Sequence, residues 1–130
     1  MGKMKYYFSK KLNITFNEAL IRVTDELKKE GFGILTEIDV QAAMKKKLNV
    51  DFRKYQILGA CNPPFAHKAL EAEDKIGTML PCNVIVQETE GGVEVAAIDP
   101  VASMQAVENP ALEGIASEVQ GMLKKVIDSL

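Results

Sequence analysis

Apolar residues recur along this chain with two distinct periods. After Thr15 they fall at Phe16, Leu20, Val23 and Leu27, the spacing of one helix face. Thr15-Phe16-Asn17-Glu18 fits a capping box, in which Thr and Glu each satisfy a free backbone N–H. Lys28 and Lys29 suit the negative end of the helix dipole, and Gly31 supplies a left-handed stop. A wider apolar face runs from Leu112 through Ile115, Ala116, Val119, Met122, Leu123, Val126 and Ile127 to Leu130. This predicts a long helix after Asn109-Pro110, suited to covering a sheet.

The intervening segments read as strands and short helices. Strands are expected at Met4 to Leu12, Gly33 to Ile38, Tyr55 to Cys61, Cys82 to Gln87 and Val93 to Ile98. Cys82, Val84 and Val86 share one face of their strand. Glu90-Gly91-Gly92 makes a tight connection, which implies an antiparallel pair. Asp39 caps a short helix expected to turn Val40, Ala43, Met44 and Leu48 inward. Asn62 takes the N-cap position and Pro63 the first position of another helix, running to about Asp74. Phe65, Ala66, Ala69, Leu70 and Ala72 fall on one side of it, and His67 lies with Glu71 and Asp74 on the other. Val101 to Glu108 shows no clear period. The order of elements implies an α+β fold: an antiparallel or mixed sheet of about five strands with helices packed against it.

Length and charge narrow the function. At 130 residues, the chain is the size of one domain, read here as residues 1–130. It has 16 basic and 18 acidic side chains, a net charge of −2. Nucleic-acid binders carry a basic excess, so no nucleic-acid partner is expected. The run Lys45-Lys46-Lys47 reads as a solvated helix end. No apolar run approaches the ~20 residues of a membrane span, and none is expected. Lys3, Lys5, Lys10 and Lys11 interrupt any signal-peptide core. The expected location is the cytoplasm, where the two cysteines stay reduced.

The chemistry-bearing residues gather between Gly59 and Asn83. The stretches Gly59-Ala60-Cys61-Asn62-Pro63 and Leu80-Pro81-Cys82-Asn83 each place Cys-Asn beside proline, and they enclose the single histidine, His67. Cys61 ends a strand just before a helix N-terminus, a setting that can lower a thiol pKa from ~8.5 to ~3.5–7.5. Cys82 sits on an apolar strand face, where burial is expected. The plainer reading of both is structural. A zinc site needs three or four protein ligands. Cys61, His67 and Cys82 would supply one only with a carboxylate or water added. His67 reads most simply as an exposed partner of Glu71. Asn62 and Asn83 read as caps or turn residues; lining a pocket, their amides would read a polar ligand. No phosphate-binding loop, Ser–His–Asp signature or paired acid–base carboxylates stand out.

These residues carry a family resemblance. Gly59-Ala60-Cys61-Asn62-Pro63, Ala66-His67-Lys68-Ala69-Leu70, Ile76-Gly77, Leu80-Pro81-Cys82-Asn83-Val84-Ile85-Val86 and Asp99-Pro100 resemble the bacterial and archaeal family called domain of unknown function 302. The resemblance covers nearly the whole chain. It implies a mostly antiparallel sheet with helices on one face, related to the TATA-box-binding-protein-like fold, and a homodimer. It implies no reaction, substrate or cofactor.

The favoured reading is a non-enzymatic dimeric module binding a small molecule or protein partner around Cys61, Asn62, His67, Cys82 and Asn83. The alternative is a thiol-based redox or metal-binding protein using Cys61 and Cys82. A hydrolase or transferase ranks last, because no nucleophile–base–orienter set is readable. Apolar residues of Val101 to Val107 are the suggested contribution to a dimer surface.

Overall fold

The computed structural model describes residues 5–130. Its five strands are β1 (Tyr7–Leu12), β2 (Gly33–Asp39), β3 (Tyr55–Cys61), β4 (Cys82–Thr89) and β5 (Gly92–Ile98). They form one sheet in the order β1-β5-β4-β3-β2. Every neighbouring pair is antiparallel. The helices are α1 (Phe16–Lys29), α2 (Val40–Leu48), α3 (Pro63–Ala72), α4 (Pro100–Ser103) and α5 (Pro110–Asp128), with a 3-10 helix at Asp74–Met79.

Alternation along the strands builds the core. In an antiparallel ladder, residues directly opposite point to the same face. Leu58 lies opposite Val84, Val84 opposite Ala97 and Val86 opposite Val95. All of these are buried. Over this face lie Ala19, Val23 and Leu27 of α1 and Val119, Leu123, Val126 and Ile127 of α5. The positions between them, such as Asn83, Ile85 and Ala96, face the other way and are exposed or half-buried. The helix layer therefore covers one face of β4 and β5.

Local signals set the ends of α1. Thr15 Oγ1 accepts from the Glu18 N–H at 3.1 Å, and Glu18 Oε1 accepts from the Thr15 N–H at 3.3 Å. Past the C-terminus, Gly31 takes a left-handed φ of +87°, a conformation that costs glycine least. At the β4–β5 hairpin, Gly91 does the same at +82°.

Several expectations change. The first strand begins at Tyr7 rather than Met4, and Met4 lies outside the described residues. Leu48 is 66% exposed rather than inward. Helix α2 packs on β2 and β3 at the sheet edge, and its apolar positions are at most half-buried. Helix α3 stops at Ala72, and Asp74 belongs to the 3-10 turn that follows. The segment from Val101 holds a single helical turn, too short for a periodic signal. Asp99 caps it, accepting from the Val101 and Ala102 N–H groups at 3.0 and 3.4 Å. Met104 and Val107, from the segment suggested for a dimer surface, are half-buried against a second apolar cluster of Ala69, Ile76 and Leu112.

Candidate functional site

Where β3 ends and α3 begins, the layers part and leave a cavity of about 310 Å³. Ala60 and Cys61 of β3 and Cys82 of β4 form its sheet side. Phe65, Ala66, Ala69 and Leu70 of α3 form one wall. Ile115, Ala116 and Val119 of α5, with Pro100 and Met104, form another. Leu80, Pro81, Phe32, Leu35, Gly77 and Asn62 complete the lining. Small residues on the apolar faces of α3 and α5 keep the space open: alanine stands at 66, 69 and 116, where larger side chains would fill it. Leu35 and Leu70 are exposed at the surface and mark the rim.

Leu35 reaches this position through a break in the ladder. Register shifts between Ile34 and Thr36 of β2, so one extra residue bulges out of the pairing. Gly59 holds the neighbouring strands close: a Cβ there would collide with Thr36 Oγ1 and lie 2.8 Å from Pro81 Cγ.

Of the five candidate residues, three line the cavity and two do not. Cys61 is half-buried and Cys82 buried, both as free thiols. Cys82 lies opposite Ala60 in the β3–β4 register, one residue from Cys61. Burial pushes the Cys82 thiol up from 9.0 to about 11, and the nearby Cys61 adds to the effect. Cys82 is therefore a neutral thiol near pH 7. Helix α3 begins with two prolines, which carry no N–H. The first turn beside Cys61 thus offers fewer donors than its position in the chain implied.

Asn62 is at the N-cap position of α3, but its side chain makes no cap bond. Its Nδ2 instead donates to the Glu30 carbonyl at 3.1 Å and approaches Met122 Sδ at 3.7 Å. The side chain ties the end of α1 to the start of α3. It is 8% exposed. Among the described lining residues, Asn62 alone carries a side-chain nitrogen or oxygen, and none carries a charge.

His67 stands on the outer side of α3, with Nε2 3.4 Å from Glu71 Oε1 and both side chains more than 70% exposed. It does not line the cavity. Asn83 follows Cys82 along β4, so alternation turns it to the opposite sheet face. There it borders a depression with Tyr7, Tyr55 and Ile85. Among the described residues, no three His, Cys, Asp or Glu side chains converge as a metal site would require. None of the described helices is long and apolar enough to cross a membrane.

Sequence reading missed Phe32, Leu35, Leu80, Met104 and the α5 residues as parts of this site. Nothing local distinguishes them from other apolar positions. The legible clue was the run of small residues along α3.

Comparison with known proteins agrees with this architecture. The family model for the domain of unknown function DUF302 matches residues 8–130. The structure is similar to the crystal structure of an uncharacterised conserved DUF302 protein from Bacillus stearothermophilus, with a TM-score of 0.89. The two are 28% identical, over 96% of this chain and 98% of that one. No curated protein matches. The chain belongs to the DUF302 family.

Proposed function

We propose that this DUF302 protein is a non-enzymatic binding module, and that its ligand is a small, largely apolar molecule held between β3, α3 and α5. The observation that carries this reading is the 310 Å³ cavity lined by carbon, two thiols, one thioether and one amide. Small-molecule sites are concave, mostly apolar, and begin at about 300 Å³. Catalysis would need a nucleophile beside a base, whereas the lone histidine points outward. The raised pKa of Cys82 disfavours it as a nucleophile.

A homodimer belongs to the same proposal. The depression bounded by Tyr7, Tyr55, Asn83 and Ile85, on the sheet face away from α1 and α5, supports it in place of the Val101–Val107 segment. Sedimentation equilibrium tests this part, and a monomer at micromolar concentration removes it.

The ligand part is tested by amide NMR titration with a panel of small alcohols, hydrocarbons and aromatics. Shifts confined to the lining segments 32–35, 60–70, 77–82, 100–104 and 115–119 are expected, and they should vanish in Ala66→Leu, which fills the space. A full panel that moves no resonance overturns the reading.

A further inference from the structure

The cavity carries one polar group whose hydrogen-bonding capacity is half used. The Asn62 amide nitrogen is committed to the Glu30 carbonyl. That contact also assigns the amide, since turning it over would set oxygen against oxygen. The oxygen Oδ1, on the other branch of the same planar group, accepts no hydrogen bond from any described residue. No described side-chain oxygen is both sealed from solvent and unpaired. Oδ1 therefore keeps some contact with solvent-accessible space, and Asn62 is one of the residues that line the cavity. A ligand filling that space removes water from Oδ1 and must replace its hydrogen bond, because a buried acceptor left without a donor is costly.

We infer that the ligand is an uncharged molecule with a hydrocarbon body and one O–H or N–H group, which donates to Asn62 Oδ1. This rests on the binding role proposed above. An apolar space of about 150 Å³ holds a benzene ring, so this cavity suits a body of one or two rings or a comparable chain. No charged side chain among the described residues lines it, so a carboxylate or ammonium head group would enter unpaired. The cavity therefore discriminates by charge as well as by shape.

Three probes of one ring system test this on the full chain at neutral pH: 2-naphthol, 2-methoxynaphthalene and 2-naphthoate, titrated by NMR or by ligand fluorescence. The hydroxyl compound should bind about tenfold tighter than its methyl ether, the worth of one hydrogen bond. The carboxylate should bind most weakly. In Asn62→Ala the order of the first two should level or invert, since the hydroxyl then enters without a partner. The methyl ether keeps its affinity there within about threefold, which reports that the cavity survives. Should Asn62→Ala fail to fold, the wild-type comparison of hydroxyl and ether still decides. Equal binding of those two, or preference for the carboxylate, overturns the inference and leaves the binding role standing. Absence of binding by all three overturns this inference, and the binding role falls only if the full panel also fails.

Discussion

The helix layer closes differently over its two ends. Around α1 and the C-terminal half of α5, Val23, Leu27, Leu123, Val84 and Val95 are wholly shielded from solvent. Side chains from two helices and two strands meet there. At the α3 end, the buried cluster shrinks to Ala69, Ile76 and Leu112, and the space beside it stays open. Apolar side chains thus build a closed core in one place and border an open space in the other. Side-chain size accounts for the difference. Valine and leucine fill the first region, whereas alanine lines the helices of the second. Interiors resist voids because lining atoms lose their dispersion partners, so an open apolar space is a cost the fold carries at the α3 end.

The contrast is sharpest in the response to truncation. Leu123→Ala, in the closed region, should lower unfolding stability by about 3–5 kcal/mol, as a new void opens among groups that cannot relax into it. Urea denaturation followed by circular dichroism reads this directly. A loss below about 1 kcal/mol would mean that the closed end is as loosely packed as the open one.

Cys82 lies where the two regions meet, and its thiol provides a pH test. The native state holds this proton up to about pH 11, whereas the free thiol releases it near 9.0. An acid whose pKa is raised on folding contributes stability that is whole below the unfolded value. It is lost as pH climbs through the folded one. Stability should therefore fall between pH 9 and 11 by about 2–3 kcal/mol more in the wild type than in Cys82→Ala. Parallel pH curves for the two proteins would place Cys82 in contact with solvent.

Leu80→Ala makes the matching truncation at the open end. Leu80 is half-buried and already borders the cavity. Its removal enlarges an existing space and should cost only about 1–2 kcal/mol. If it costs as much as Leu123→Ala in the same denaturation series, the α3 end is packed as tightly as the rest.

The smallest effect is expected outside both regions. His67→Ala removes an exposed i,i+4 pair with Glu71, and stability should change by less than about 0.5 kcal/mol. NMR titration of the cavity ligand should also be unaltered. A weakened ligand in this variant would bring His67 back into the site.

Much of the architecture was legible before the structure. The capping box at Thr15 and Glu18, the glycine stop at Gly31 and the alternation of Cys82, Val84 and Val86 all appear as expected. These are local: each depends on groups within a few residues, where chain geometry dictates which atoms meet. Strand β3 falls at Tyr55–Cys61, the range its flanking residues suggested. Of the unusual residues that cluster in the sequence, Cys61, Asn62 and Cys82 line one cavity.

Membership of that cavity was set by tertiary geometry. Asn62 has the sequence of an N-cap, yet its amide bonds to Glu30, 32 residues away, because α1 happens to end there. Asn83 has a cysteine beside it just as Asn62 does, but one step along a strand reverses a side chain, and the sheet separates the two amides. Leu35 enters the cavity rim through a bulge that shifts the β2–β3 register, which no local pattern announces. Periodicity tells which face of each element is apolar. It does not tell how far apart two apolar faces will stand, because that distance depends on side chains contributed by segments remote in the chain. The open space between α3 and α5, on which the proposed function rests, is a distance of that kind.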